Sequence, residues 1–445
     1  IKEIIKMFKE TSKELLDFLS KSPTAFHAVE NYRQILNADG FKELLESEHW
    51  DIVPGGKYYV TRNNTSILAF KVGTKLDNYS FNIVTSHTDS PTFKVKENAE
   101  IEVKNKYTQL NTEGYGGMLC ATWLDRPLSI AGRVLVSEGN SIVTKLLNID
   151  RDLLMIPNVA IHMNRAANDG FKYNLQVDML PLLSAGDDRQ KDFKQIIADE
   201  LGVKKEDILG HDLYLYNRMA PSIWGANEEF ISAGHLDDLQ CGFASLKALL
   251  AGYNDESIDI MACFDNEEVG SGTKQGADST LLRDTLIRIN NALGKTEEDY
   301  HRALASSFML SADNAHAVHP NHPEHTDVTN CTYMNEGVVV KSHAGQKYTS
   351  DGVSMAVVKS LASGADVPLQ YFANRSDKAG GSTLGNIAMA QASMNAVDIG
   401  LPQLAMHSSY ETAGIKDTYY AISLMKALFD SHIQETSTHS LEIKS

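Results

Sequence analysis

The feature that most constrains this chain is an alternation of short apolar strand-like runs with amphipathic helical runs, broken once by a long β-rich stretch. Strand-like runs fall at 58–60, 66–70 and 81–84, the last leading directly into Thr85-Ser86-His87, and again at 258–264, 308–311 and 337–341. Helical spacing of apolar residues covers Ile4 to Leu19, then 25–36 after a Ser22-Pro23 break, and later 244–251, 279–291, 387–394 and 418–433. The last of these reads as an amphipathic helix that closes the core. Between about Phe93 and Phe230 the alternation fails and β-rich, loop-rich sequence takes over (Val95, Ile101, Val103, then Arg133-Val134-Leu135-Val136). This pattern predicts an α/β protein with a β-rich insert: a first part over 1–92, the insert over 93–230 and the remainder over 231–445.

The 445 residues exceed the size at which single cores stop growing, which also favours two domains. A formal charge of −17 argues against a nucleic-acid surface or general attachment to anionic membranes, because the summed field repels polyanions. The four cysteines, Cys120, Cys241, Cys263 and Cys331, are too few and scattered for a disulfide framework and include no CxxC pair, so a reducing cytoplasm is expected. No apolar stretch approaches the length of a membrane-spanning helix. The first ten residues alternate charged and apolar side chains, unlike a signal peptide. With Ile1 in place of an initiating methionine, a few native residues are expected ahead of it.

Ionisable residues gather where apolar strands stop: Ser86-His87-Thr88-Asp89, Phe264-Asp265-Asn266-Glu267-Glu268 and Ser311-Ala312-Asp313. Ligands bind at the carboxyl ends of strands in open α/β sheets, and buried charge there is costly unless it is paired or holds a metal. Any one segment also fits a solvated loop; their recurrence favours a cation site. His87 and Asp89 lie two apart, so in extended backbone both side chains point the same way and the carboxylate can sit behind the imidazole. Neighbours such as Glu267 and Glu268 point in different directions, which lets one hold a metal and the other face a water. They precede Val269-Gly270-Ser271-Gly272, read as a tight turn that brings backbone close to the site. His235-Leu236-Asp237-Asp238 opens a helix, where Asp237 or Asp238 either caps it or offers a bridging carboxylate. His407 follows the apolar run 401–406, again a ligand type at the end of an expected strand.

In order along the chain, several segments resemble those of the M18 metallopeptidases, the aspartyl aminopeptidase and aminopeptidase I family. They are Ser86-His87-Thr88-Asp89-Ser90-Pro91, His235-Leu236-Asp237-Asp238-Leu239, Asp265-Asn266-Glu267-Glu268-Val269-Gly270-Ser271, the segment from Asp313-Asn314-Ala315-His316 to His319-Pro320-Asn321, Gly380-Gly381-Ser382-Thr383-Leu384-Gly385 and Met406-His407-Ser408. The likeness spans about the whole chain from Ser22-Pro23-Thr24 onward. It implies a three-layer α/β/α catalytic domain of the zinc-exopeptidase type, with the insert serving dimerisation and substrate access. It implies further that His87 and Asp313 hold one metal, Glu268 and His407 the other, and Asp237 bridges both. Glu267 is then the general base, Asp89 orients His87, and His162, His316, Lys341 and Tyr348 contact substrate, His162 from a neighbouring subunit. Two positions depart from the family pattern: Asp238 stands where Asn is frequent and Tyr410 where Arg is frequent, the second bearing on specificity.

The expected activity is a two-metal aminopeptidase that releases an acidic or neutral N-terminal residue from peptides, with Glu267 activating a water between two divalent metals. Zinc is the first choice of ion, with cobalt and manganese compatible with the same ligands. The family also implies dimers assembled into a tetrahedral dodecamer. The rivals are a related two-metal carboxypeptidase or deacylase, and a metal-stabilised binding protein without turnover, against which an intact Glu267 argues.

Overall fold

The computed structural model describes residues 2–444, so Ile1 of the expected N-terminal pattern lies outside the described residues. Three strands form the centre of a nine-stranded mixed sheet: Ser257–Phe264, Ser80–His87 and Phe308–Ala312, adjacent and mutually parallel. Each is buried along its whole length, as a strand covered on both faces must be, which explains the continuous apolar runs. Ser66–Val72, Lys57–Arg62 and Lys42–Leu44 extend the sheet on one side; Asn395–Gly400, Val338–Lys341 and Leu369–Phe372 extend it on the other.

Helices cover both faces. Lys2–Ser20, Ala25–Ala38, Leu236–Ala251, Gly352–Gly364 and Asp417–Phe429 build one apolar core against the sheet, with Leu15, Tyr32, Leu246 and Leu424 fully buried in it. Leu281–Ala292, Glu297–Ala305 and Leu384–Gln391 build the other, around Phe70, Phe81, Leu286 and Leu384. The result is the α/β protein that the alternation predicts, in the three-layer α/β/α arrangement that the M18 resemblance implies. The C-terminal helix stops at Phe429, earlier than its periodicity suggests, and Ile433 instead lies in the strand His432–Ser437, which pairs with Ser440–Lys444.

The expected β-rich region forms a separate six-stranded sheet in the order Ser141–Asn148, Leu128–Glu138, Ile208–Asn217, Thr92–Val103, Tyr107–Tyr115, Leu182–Ala185. It has its own core, including Phe93, Trp123, Leu213 and Phe193, the last on a helix Phe193–Leu201 that the sequence pattern missed. Asp192 caps that helix by accepting from Gln195 N, and Gly202 ends it in the left-handed conformation. Residues 157–181 carry neither helix nor strand. Ser222–Trp224 falls within the expected insert, yet it pairs with Phe230–Ala233 in a third sheet, whose order continues Glu411–Gly414, Pro402–Leu404, Ala315–His316. That third sheet carries the turn holding His407.

Candidate metal centre

Strand register brings the ionisable segments together. His87 lies opposite Phe264 in one parallel pair, and Ser311 lies opposite Thr85 in the next, so His87, the 265–268 turn and Asp313 emerge side by side at one edge of the sheet. Asn266 in left-handed conformation and Gly270 at φ 95° bend the chain back around the short helical turn Glu267–Val269. His407 sits two residues beyond its expected position: the strand ends at Leu404, and Ala405 and His407, both at positive φ, turn the imidazole inward.

Asp237 links the two halves. Its Oδ1 lies 3.4 Å from His87 Nε2 and its Oδ2 lies 3.3 Å from His407 Nε2. Asp313 Oδ1 is 3.9 Å from His87 Nε2, and Glu268 Oε2 is 3.3 Å from His407 Nε2. Although Leu236–Ala251 starts here, Asp237 and Asp238 have non-helical backbone and no side-chain cap is made at this helix start, which removes the capping alternative. Two overlapping groups, His87-Asp237-Asp313 and Asp237-Glu268-His407, each keep one donor atom per residue within 4.8 Å of the others; a third joins His87, Glu267 and Glu268.

Each imidazole is oriented from behind. His87 Nδ1 donates to the Asp89 carbonyl at 3.0 Å, with Asp89 Oδ1 at 3.4 Å, so the backbone oxygen rather than the expected carboxylate is the nearer partner. His407 Nδ1 donates to the Gly117 carbonyl at 2.9 Å. With each Nδ1 occupied by a carbonyl, each ring turns its Nε2 toward Asp237, and in the neutral ring that nitrogen is the one free to hold a metal. The Asp89 carboxylate accepts from the backbone of Glu267 at 3.2 Å and of Glu268 at 3.1 Å, and from the Tyr115 hydroxyl. It thus holds the glutamate turn as well as standing behind His87.

The electrostatics fit cations. Burial opposes charge on Asp237, but the imidazoles of His407 and His87 hold its carboxyl well below the usual range. Burial pushes Glu268 well up, and Asp313 up to about 6, with the carboxylates around them adding to the effect. Asp237 Oδ1 and Glu268 Oε1 are buried without a hydrogen-bond partner, a costly state that a divalent ion between these oxygens and the imidazoles removes. Two His, two Asp and one Glu form a donor set suited to zinc and its neighbours. Glu267, facing the same space, has its carboxyl raised to about 8, by burial and by the nearby Asp313, Asp89 and Asp237 carboxylates, against the pull of His87.

A family profile described as "Aminopeptidase I zinc metalloprotease (M18)" matches residues 18–429. The chain belongs to the M18 family of metallo-aminopeptidases. It is 48% identical to a probable M18 family aminopeptidase 2 of Clostridium novyi over 425 residues, covering 94% of this chain and 98% of that one. Among solved structures, that of the Ape4 and Nbr1 complex superposes with a TM-score of 0.92 at 35% identity, over 95% of this chain and 86% of the other. The mApe1 dodecamer of S. cerevisiae gives 0.83 at 28% identity, covering 95% and 97%.

The M18 resemblance also pointed to four substrate contacts, and three of them cluster. Lys341 is buried beside Asp313, donates to the Asn314 carbonyl at 3.0 Å and lies 5.7 Å from the centre of the Tyr348 ring. Tyr348 packs with Phe372, whose ring is 6.1 Å from that of His316. His316 opens into a cavity of about 260 Å³ lined also by Met406, Arg375 and Lys378. His162 is exposed in the irregular 157–181 stretch, and within this chain no hydrogen bond or ion pair among the described residues joins it to the centre.

Three contributors escaped the sequence reading. Glu411 accepts from His407 N at 2.8 Å and from Asp237 N at 3.0 Å, tying both sides of the centre together. An acidic residue four positions after His407 was its only signal. Tyr115 and Gly117 reach in from the six-stranded sheet and its following loop, with no local signal at all. The departures from the M18 pattern also acquire places. Asp238 Oδ2 accepts from His87 N at 3.2 Å, and full burial pushes its carboxyl well up. Tyr410 donates to the Ala220 carbonyl at 2.8 Å and contacts Ser222 Oγ at 2.9 Å, bracing the third sheet.

Proposed function

We propose that the chain is a two-metal aminopeptidase in which His87 and Asp313 hold one divalent ion, Glu268 and His407 a second, and Asp237 bridges them. The observation that carries this is Asp237, with one carboxylate oxygen facing each imidazole at 3.4 and 3.3 Å. Zinc is the ion most consistent with the family description and the donor set. When bound, the ions lower the pKa of water and polarise the scissile carbonyl. Glu267 takes a proton from the attacking water and returns it to the departing amine, the shuttle that a carboxylate beside the metal space and outside the ligand set can perform. Asp89 holds the Glu267-Glu268 turn and the His87 ring in register for this step. The remaining carboxylate charge at the site suits a free α-amino group, which makes the substrate a peptide with an open N-terminus.

His316, Lys341 and Tyr348 contact the first residue in this reading. Lys341, which donates to the Asn314 carbonyl and feels the Asp313 charge, favours contact with a peptide carbonyl, and both acidic and neutral first residues are admitted. The β-rich insert, 93–230, serves dimerisation and substrate access, and His162 enters a neighbouring subunit's site. Support comes from apolar side chains exposed around it, among them Val159, Ile161, Met163 and Val177, and from the dodecamer of the similar mApe1. A dodecamer is accordingly the proposed assembly. No helix among the described residues is long and apolar enough to cross a membrane, and four unpaired cysteines accord with the cytoplasm.

The deciding experiment compares three forms of one peptide with metal-loaded protein: free at both ends, N-acetylated, and C-terminally amidated. Cleavage of the free and amidated forms with loss of the acetylated one is expected. Cleavage of the acetylated form with loss of the amidated one makes the chain a carboxypeptidase.

A further inference from the structure

A second convergence of metal-binding side chains shares no residue with the first and lies on the turn His322-Pro323-Glu324-His325, whose His325 lines the cavity that His316 also lines. Its backbone is well tied. His322 N donates to the His319 carbonyl at 3.0 Å, His325 N to the His322 carbonyl at 3.1 Å, Thr326 Oγ1 to the Pro323 carbonyl at 2.7 Å, and the Arg375 guanidinium to the Glu324 carbonyl. Pro323 fixes φ within the short helical turn Pro323–His325. The side chains are therefore presented from a braced segment.

On this turn two imidazoles aim at one carboxylate oxygen. Glu324 Oε1 lies 3.1 Å from His322 Nδ1 and 3.7 Å from His325 Nε2. Donors about 2.0–2.2 Å from a tetrahedral zinc sit about 3.3 Å apart, so these separations bracket what a single ion needs. They also match the 3.3 and 3.4 Å separations between Asp237 and the imidazoles of His407 and His87. One donor atom from each of the three residues lies within 4.8 Å of the other two. A hydrogen bond accounts for the His322 contact and an ion pair for the His325 one, whereas a single shared ion accounts for all three donors at once. Two imidazoles and a carboxylate form a known zinc donor set, and with side chains 58–60% exposed, water can complete the coordination.

We propose that His322, Glu324 and His325 form a third divalent transition-metal site, solvent-exposed and exchangeable, sharing no ligand with the catalytic pair. The proposal stands independently of the peptidase reading, since it shares no ligand with that centre. Zinc is the probe that tests it. Full-length, metal-loaded protein is dialysed to equilibrium against a rising series of zinc concentrations, and ions per chain are counted for wild type, Glu324→Gln and His322→Ala/Glu324→Gln.

Wild type is expected to take up one ion per chain more than the double variant, and Glu324→Gln to shift that uptake to roughly tenfold higher zinc. The peptidase rate of the double variant at the lowest zinc should equal that of wild type. Equal ion content in wild type and double variant across the series overturns the site. A double variant that loses its peptidase rate together with the ion places the missing ion in the catalytic centre, which overturns it as well.

Discussion

The Tyr115 hydroxyl donates to Asp89 Oδ2 at 2.7 Å and accepts from Asn266 Nδ2 at 2.8 Å, so a strand of the six-stranded sheet helps set the glutamate turn of the candidate metal centre. Removing that hydroxyl leaves a buried carboxylate oxygen with one donor fewer and loosens the turn it holds. Tyr115→Phe is expected to lower kcat by roughly 10- to 100-fold with little change in KM and to weaken metal retention, the range found for residues that orient metal ligands. Steady-state kinetics with metal analysis on the same sample check both effects.

Glu267 faces the metal space without being tied into either imidazole pair. Glu267→Gln keeps size and polarity but cannot take a proton, and should reduce kcat by about 10²- to 10⁴-fold. Metal content should remain that of wild type. A variant that loses metal along with activity would make Glu267 a ligand rather than a base.

Glu411 binds the backbones of Asp237 and His407 with its two oxygens. Glu411→Gln replaces one acceptor oxygen with a donor that faces a backbone N–H. Metal retention is expected to fall roughly tenfold while the fold, followed by circular dichroism, is kept.

Burial holds the His27 imidazole down, to about 4, and its Nδ1 pairs with Thr24 Oγ1 at 2.8 Å. The folded pKa lies below the unfolded value, so the unfolded chain takes up the proton first. The stabilisation is present above about pH 6.5 and is lost as pH falls toward 4. At pH 5 this costs about 1–2 kcal/mol, and His27→Gln should flatten that part of the pH profile of unfolding in denaturant. An unchanged profile rejects the assignment.

Much of the centre was legible because parallel strands bring sequence-distant strand ends into register. His87, Glu267, Glu268 and Asp313 each follow an apolar run, and the sheet does the rest. The α/β alternation was legible for a different reason, since fully buried strands and one-faced helices leave different periodicities. Tyr115, Gly117 and Glu411 were not, because their roles lie in single contacts between segments far apart in sequence, as between Gly117 and His407. His407 was expected at a strand end, yet positive φ at Ala405 and His407 carries it into a turn that apolar pattern does not encode. The 193–201 helix was hidden inside a region read from its strands, and Ser222–Trp224 joins the third sheet only through its neighbour Phe230–Ala233, which pairs with the sequence-distant Glu411–Gly414.

The central claim is that two ions, joined through Asp237, are needed for peptide cleavage. Its most direct test is titration of metal-stripped protein with zinc, counting ions per chain against peptidase rate, on the His322→Ala/Glu324→Gln background so that the exposed turn adds nothing. Activity is predicted to reach its maximum only as the second ion per chain is taken up, and Asp237→Asn to abolish both the second ion and the rate. Full activity at one ion per chain, or an Asp237→Asn variant that still binds two ions and turns over normally, would contradict the account.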